Sequence, residues 1–96
     1  MKEFLKTLLA IFDQSVIDYK AYLAAGKTFR YAQILKGNNG KAFQLLIDNK
    51  ASLPASLQQD AEALIAHYIV WTEKWEELAA RLQPGPEDEF VFPNTV

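Results

Sequence analysis

The sequence predicts an all-α protein, a small up-and-down helical bundle. Apolar residues recur at helical spacing over two long segments, and glycine and proline interrupt the chain between them. With 96 residues, 50% of them hydrophobic and 23% charged, the chain has the size and composition of one globular domain. We divide it into a helical bundle domain, residues 1–83, and an acidic-aromatic C-terminal tail, residues 84–96.

The first long helix is predicted over residues 2–25. Its apolar residues alternate between spacings of four and three, which is typical of one face of a helix. Gly26 fits the left-handed residue that commonly follows a helix C-terminus. We expect the apolar face to pack within the bundle. Its central line consists of Leu5, Leu9, Phe12, Val16, Tyr19 and Leu23, and Phe4, Leu8 and Ile11 widen it.

The middle of the chain allows two interpretations. The segment Lys36–Lys41 reads Lys-Gly-Asn-Asn-Gly-Lys and predicts a turn, because Gly and Asn tolerate positive φ. Apolar residues on both sides of this segment nearly alternate, which would suit a β-hairpin over residues 28–47. Good helix formers flank the same segment, and no other strand is visible to pair with a hairpin. We favour two short helices, residues 28–36 and 41–51.

The second long helix is predicted over residues 56–83. Ser56 and Gln59 form a capping-box pattern at its start, and Pro84 ends it. We expect the two long helices to pack together. The apolar residues of the second again alternate between spacings of four and three, and they are Leu57, Ala61, Leu64, Tyr68, Trp71, Trp75, Leu78 and Leu82.

The centre of this second long helix suggests self-association. Between Ala61 and Trp71 only Glu62 and His67 are polar, and a helix that is apolar nearly all round is a buried helix. The rest of so short a chain would hardly cover it, so we expect a homodimer that acts as a non-enzymatic protein-interaction module. The residues expected at or near its interface are Ile65, Tyr68, Ile69, Trp71 and Trp75.

Charge is distributed unevenly along the chain, although the net charge is only −2. Residues 19–47 contain five basic and no acidic residues, whereas residues 48–96 contain nine acidic and three basic residues. The basic middle is a candidate nucleic-acid or phosphate-binding segment. The overall acidity of the chain argues against that interpretation. The segment would also complement the acidic half of the same chain or of a partner copy. Its candidate anion-binding residues are Lys27, Arg30, Lys36 and Lys41.

The tail and the aromatic residues of the last helix each allow more than one interpretation. Phe90 and Phe92 in the tail are candidate contact residues, either on the bundle or on another copy, and a disordered end is the alternative. The aromatic residues of the last helix would also suit a small-molecule sensor with an apolar pocket.

Catalytic and metal-binding motifs are not recognisable in the sequence. The chain has one histidine and no cysteine, and His67 lacks a metal ligand at helical spacing, so we expect neither an enzyme nor a cofactor. We expect His67 to be a hydrogen-bonded residue at the rim of the buried segment. The longest apolar stretches are too short to span a membrane, and no signal peptide is evident, so we expect a cytoplasmic protein.

Overall fold

The computed structural model describes residues 2–92 and is helical throughout its regular structure. Helix α1 spans Lys2–Ala24, α2 spans Phe29–Asn49 and α3 spans Ala55–Leu82; a short 3₁₀ helix, Lys50–Ser52, joins α2 to α3. The predicted all-helical class is confirmed, and both long helices lie within one residue of their predicted bounds. The described chain contains three α-helices rather than the four predicted.

The three helices run alternately up and down. Phe4 near the start of α1 shares a core cluster with Leu46 near the end of α2, so these two helices are antiparallel. Lys50 and Glu62 form an ion pair of 2.9 Å where the 3₁₀ helix meets the start of α3, which brings α3 back along α2. Helix α2 packs on both neighbours, and in the described chain α1 and α3 make no close backbone contact. The predicted packing of the two long helices is thus limited to side chains that share the two buried clusters.

The middle of the chain is one continuous helix, so the two predicted short helices, 28–36 and 41–51, and the alternative hairpin are both wrong. Helix α2 passes through the Gly-Asn-Asn-Gly segment without a break. Asn38 in that segment is buried, and its side-chain amide donates a hydrogen bond of 2.8 Å to the Asp18 carboxylate of α1. Leu35 and Ala42 are buried on the same face, one turn before and after Asn38. Tertiary contacts along this face thus outweigh the low helix propensity of the segment.

Buried side chains form two clusters that meet along α2. One, at the α1 N-terminal end, contains Phe4, Ala42, Leu46, Leu53, Ala61, Ile65 and Tyr68. The other, which we call the aromatic cluster, contains Tyr22, Ala32, Leu35, Trp71, Trp75, Phe90 and Phe92. The molecule measures 43 × 24 × 18 Å, and its long dimension matches the length of about 42 Å expected for the 28 residues of α3.

The ends of the long helices follow backbone chemistry. Gly26 has a φ of +83° after α1, as predicted, and the backbone N–H of Lys27 donates to the carbonyl of Tyr22. Gln83 closes α3 with a φ of +47°. The predicted capping box at Ser56 does not form, because α3 already begins at Ala55 and no side chain caps it.

Replacing Gly37 with alanine tests the continuity of α2. A Cβ added at Gly37 meets no atom within 4 Å, and the residue is helical, so Gly37→Ala should raise the free energy of unfolding by about 0.5–1 kcal/mol in urea titrations. Gly26→Ala is the control and should lower it by about 1 kcal/mol, because its positive φ strains an L-residue. A loss of stability in both variants would indicate a turn at residue 37.

Candidate interaction surface

Four of the five residues predicted at the dimer interface lie inside the subunit's own core. Ile65, Tyr68, Trp71 and Trp75 are each no more than 9% exposed, and only Ile69, at 43%, lies on the surface. Two features of the structure cover these residues. Helix α2 is long enough to follow α3 as one rod, and the tail returns to pack against Trp71 and Trp75.

The tail completes the N-terminus of α2. The first backbone N–H groups of a helix have no partner within it, and the side chain of Thr28 caps none of them. Instead, the N–H of Phe29 donates to the carbonyl of Asp88 at 2.8 Å, and the N–H of Arg30 donates to the carbonyl of Pro86 at 3.0 Å. Tail carbonyl groups therefore replace the usual capping side chain.

Phe90 anchors the tail in the aromatic cluster. Its side chain has no exposed surface, and its ring centre lies 5.0 Å from the rings of both Phe29 and Trp75. The N–H of Phe90 donates to the carbonyl of Lys27 at 2.8 Å. Burying one phenylalanine in this way stabilises the docked tail by roughly 1.5–3 kcal/mol.

Phe92 and Tyr22 tie the tail to α1. The Phe92 ring lies 5.2 Å from the Tyr22 ring and 5.4 Å from the Trp71 ring, edge-on to the latter. The Tyr22 hydroxyl donates a hydrogen bond to the carbonyl of Phe90. Both predicted tail-contact residues, Phe90 and Phe92, thus pack on the bundle of their own chain; residues 93–96 lie outside the described range.

Two of the four candidate anion-binding residues form ion pairs with the acidic half of the chain. Arg30 pairs with Glu87 of the tail, and Lys36 pairs with Glu76 of α3 at 3.0 Å. Lys36 and Lys41 are five residues apart on α2 and therefore point about 140° apart. The set Lys27, Arg30, Lys36 and Lys41 is not gathered into one patch, and half of it balances charge within the subunit.

The central line of the apolar face through which α1 was predicted to pack in the bundle is largely exposed. Helix α1 packs on α2 through a neighbouring face that includes Phe4 and Tyr22, and α3 packs on α2 rather than on α1. The central line of the predicted face, which we call the α1 stripe, makes no close backbone contact with α3. Its members are Leu5, Leu9, Phe12, Val16, Tyr19 and Leu23; Phe12 is partly buried, and the other five are between 37% and 60% exposed.

An open groove separates α1 from α3. Its volume is about 360 Å³. Leu35 and Asn39 of α2 form its floor, and its walls and end include Val16, Tyr19, Lys20, His67, Trp71 and Phe92. This groove exists because α2 holds the two outer helices apart.

His67 lies at the rim of the groove and is partly buried. Its ring meets the Tyr68 ring edge-on at 5.6 Å. It makes no side-chain hydrogen bond to another residue of the range 2–92, contrary to the expectation from the sequence. The same range holds no group of three or more potential metal ligands.

Comparison of the chain with protein-family models, with curated proteins and with solved structures finds no match to any of them. Within residues 2–92, none of the helices has both the length and the apolar character needed to cross a membrane.

The hydroxyl of Tyr22 should make the docked tail sensitive to alkaline pH. Burial, with the nearby Tyr19 and Glu89 acting in the same direction, raises the pKa of Tyr22 from 10.0 to about 12. The unfolded chain therefore loses this proton before the folded chain does, and the free energy of unfolding should fall as the pH rises from about 10 to about 12.

Tyr22→Phe should remove that part of the alkaline fall. At neutral pH it should cost about 1–2 kcal/mol in denaturant titrations, because the carbonyl of Phe90 loses its donor. Tyr19→Phe is the comparison variant, since Tyr19 lies one turn earlier on α1 and is 37% exposed; it removes a contribution smaller than burial to the raised pKa of Tyr22, so most of the alkaline fall should remain. Equal alkaline slopes in wild type and Tyr22→Phe would contradict the prediction.

Proposed function

We propose that this protein is a non-enzymatic interaction module that acts as a homodimer, with the α1 stripe as its interface. The observation that carries the proposal is the exposure of five large apolar side chains on one face of α1. Scattered apolar side chains on a surface are ordinary, whereas a continuous apolar stripe along a helix is typical of a contact surface.

The size of the stripe is close to what a stable dimer requires. Five side chains with roughly 80–110 Å² exposed each supply on the order of 500 Å² of apolar surface per subunit. A standard protein interface buries about 800 Å² per partner, of which roughly 60% is apolar. The stripe thus supplies about the apolar area that one subunit contributes to such an interface.

The pattern of the stripe favours a second copy of the chain as its partner. Residues spaced alternately by four and three form the contact line along which two helices interlock side chains. A two-fold axis would place the stripe of one copy against the same stripe of the other, so a single surface serves both subunits.

The proposed interface lies on α1, whereas the sequence prediction placed it on α3. Of the residues first expected there, Ile69 is the one with substantial exposed surface, and it lies on α3 with Val70, which is also exposed. No specific contact favours the nucleic-acid alternative, since Arg30 and Lys36 are paired with carboxylates. The absence of catalysis and the cytoplasmic location stay predictions from the sequence.

Leu9→Glu should dissociate the dimer. Leu9 is 60% exposed, so the change should leave the fold of the subunit intact. Each copy would lose roughly 1–2 kcal/mol of apolar burial, and because the two-fold axis doubles the loss, self-association should weaken roughly hundredfold. Sedimentation equilibrium should give the mass of two 10.9 kDa chains for wild type and of one for the variant.

Ile17→Glu is the matched control for Leu9→Glu. Ile17 is 59% exposed on the same helix, but it lies outside the α1 stripe, so this variant should remain dimeric. Circular dichroism of both variants should match wild type. A wild-type protein that stays monomeric at submillimolar concentration, or equal dissociation of the two variants, would refute the proposal.

A further inference from the structure

We infer that the groove between α1 and α3 is a binding site for a small organic carboxylate with a flat apolar body. The inference does not rest on the proposed dimer, because it concerns a different kind of ligand and a site whose polar groups lie outside the α1 stripe. Val16 and Tyr19 belong to both surfaces, whereas Leu5 and Leu9 do not line the groove.

The dimensions and walls of the groove suit one or two fused rings. Its volume of about 360 Å³ lies in the range of small-molecule sites, which is roughly 300–1,000 Å³. Tyr19 of α1, Trp71 of α3 and Phe92 of the tail supply aromatic surface from three directions, and Leu35 supplies an aliphatic floor. Aromatic side chains arranged in this way offer stacked and edge-on contacts to a flat ring.

The polar groups of the groove favour a negative charge on the ligand. Lys20 and Asn39 line it and offer an ammonium group and an amide as donors, and His67 offers an imidazole. No carboxylate is among the lining residues. Lys20 forms none of the three ion pairs found within residues 2–92, so its charge is not balanced by an acidic partner there.

The nearest acidic residue on α1 is occupied elsewhere. Asp18 accepts hydrogen bonds from Asn38 at 2.8 Å and from Gln14 at 3.1 Å, so both of its oxygens are engaged away from the groove. An ammonium group at the edge of an apolar site attracts a carboxylate more strongly than it would in open water, because the local dielectric constant is lower. The groove therefore combines apolar walls with one uncompensated positive charge.

Calorimetric titration with 2-naphthoate and with its uncharged analogue 2-naphthamide tests the inference. The two probes share one ring system, so their difference reports the charge. We expect 2-naphthoate to bind about tenfold more tightly, and Lys20→Gln to reduce that preference to about twofold or less. Lys6→Gln is the matched control, since Lys6 is an exposed lysine on the same border of α1 and does not line the groove; it should retain the preference.

Amide chemical-shift mapping with 2-naphthoate should locate the site. The largest changes are expected at Tyr19, Leu35 and His67. The Leu9→Glu variant should bind the probe at least as tightly as wild type does, because dissociation uncovers Val16 and Tyr19, which belong to both surfaces. In calorimetry, the inference is overturned if 2-naphthoate does not bind, if it binds no better than 2-naphthamide, or if Lys20→Gln keeps the full preference. It is also overturned if the chemical-shift changes centre on another part of the protein, or if Leu9→Glu abolishes binding.

Discussion

The position of α2 between the other two helices is the constraint from which the exposed surfaces of this protein follow. Helix α2 contributes to both buried clusters, and its buried face runs unbroken from Ala32 to Leu46. The hydrogen bond from Asn38 to Asp18 fixes α1 against this face at mid-length. A polar group buried there is costly unless it is paired, so the pair specifies one register between the helices. With both neighbours packed on α2, the outer helices make no close backbone contact, and a groove remains between them.

The tail provides the hydrogen-bond acceptors and the apolar side chain that the three helices alone lack at the N-terminal end of α2. Its carbonyl groups accept hydrogen bonds from the first N–H groups of α2, and Phe90 packs against both Phe29 and Trp75, whose rings stack on each other at 5.5 Å. This packing has a cost, because the indole N–H of Trp75 is buried and has no hydrogen-bond acceptor among the described residues. An unpartnered buried donor costs about 1–3 kcal/mol. Ring contacts on Trp75, together with the Lys36 ammonium group 4.8 Å from the ring centre, offset this cost.

How far the sequence predicts this structure depends on whether a feature is local or tertiary. Helical periodicity located α1 and α3 to within a residue, because such spacing is a local property. The sequence prediction instead places a turn within α2, because glycine and asparagine favour a turn by local preference. Burial of Asn38 in the folded chain outweighs this preference. A signal was nevertheless present: Ala32, Leu35, Asn38, Ala42 and Leu46 keep helical spacing straight through the supposed turn. The burial of Trp71 and Trp75 could not be derived, because it depends on which elements return to cover α3.

The amphipathic arc of α1 is wider than one neighbouring helix can cover. One half, around Phe4 and Tyr22, packs on α2, and the other half is the α1 stripe. In a closed three-helix bundle the third helix would cover this second half, but here α3 makes no close backbone contact with α1. An apolar face that the chain itself does not cover is most economically buried by a copy that carries the same face. Because Val16 and Tyr19 belong both to the α1 stripe and to the groove, pairing through the whole stripe and ligand binding in the groove compete for these two side chains. Each proposal can nevertheless fail without the other, since the dimer depends on Leu5 and Leu9 and the charge preference of the groove on Lys20.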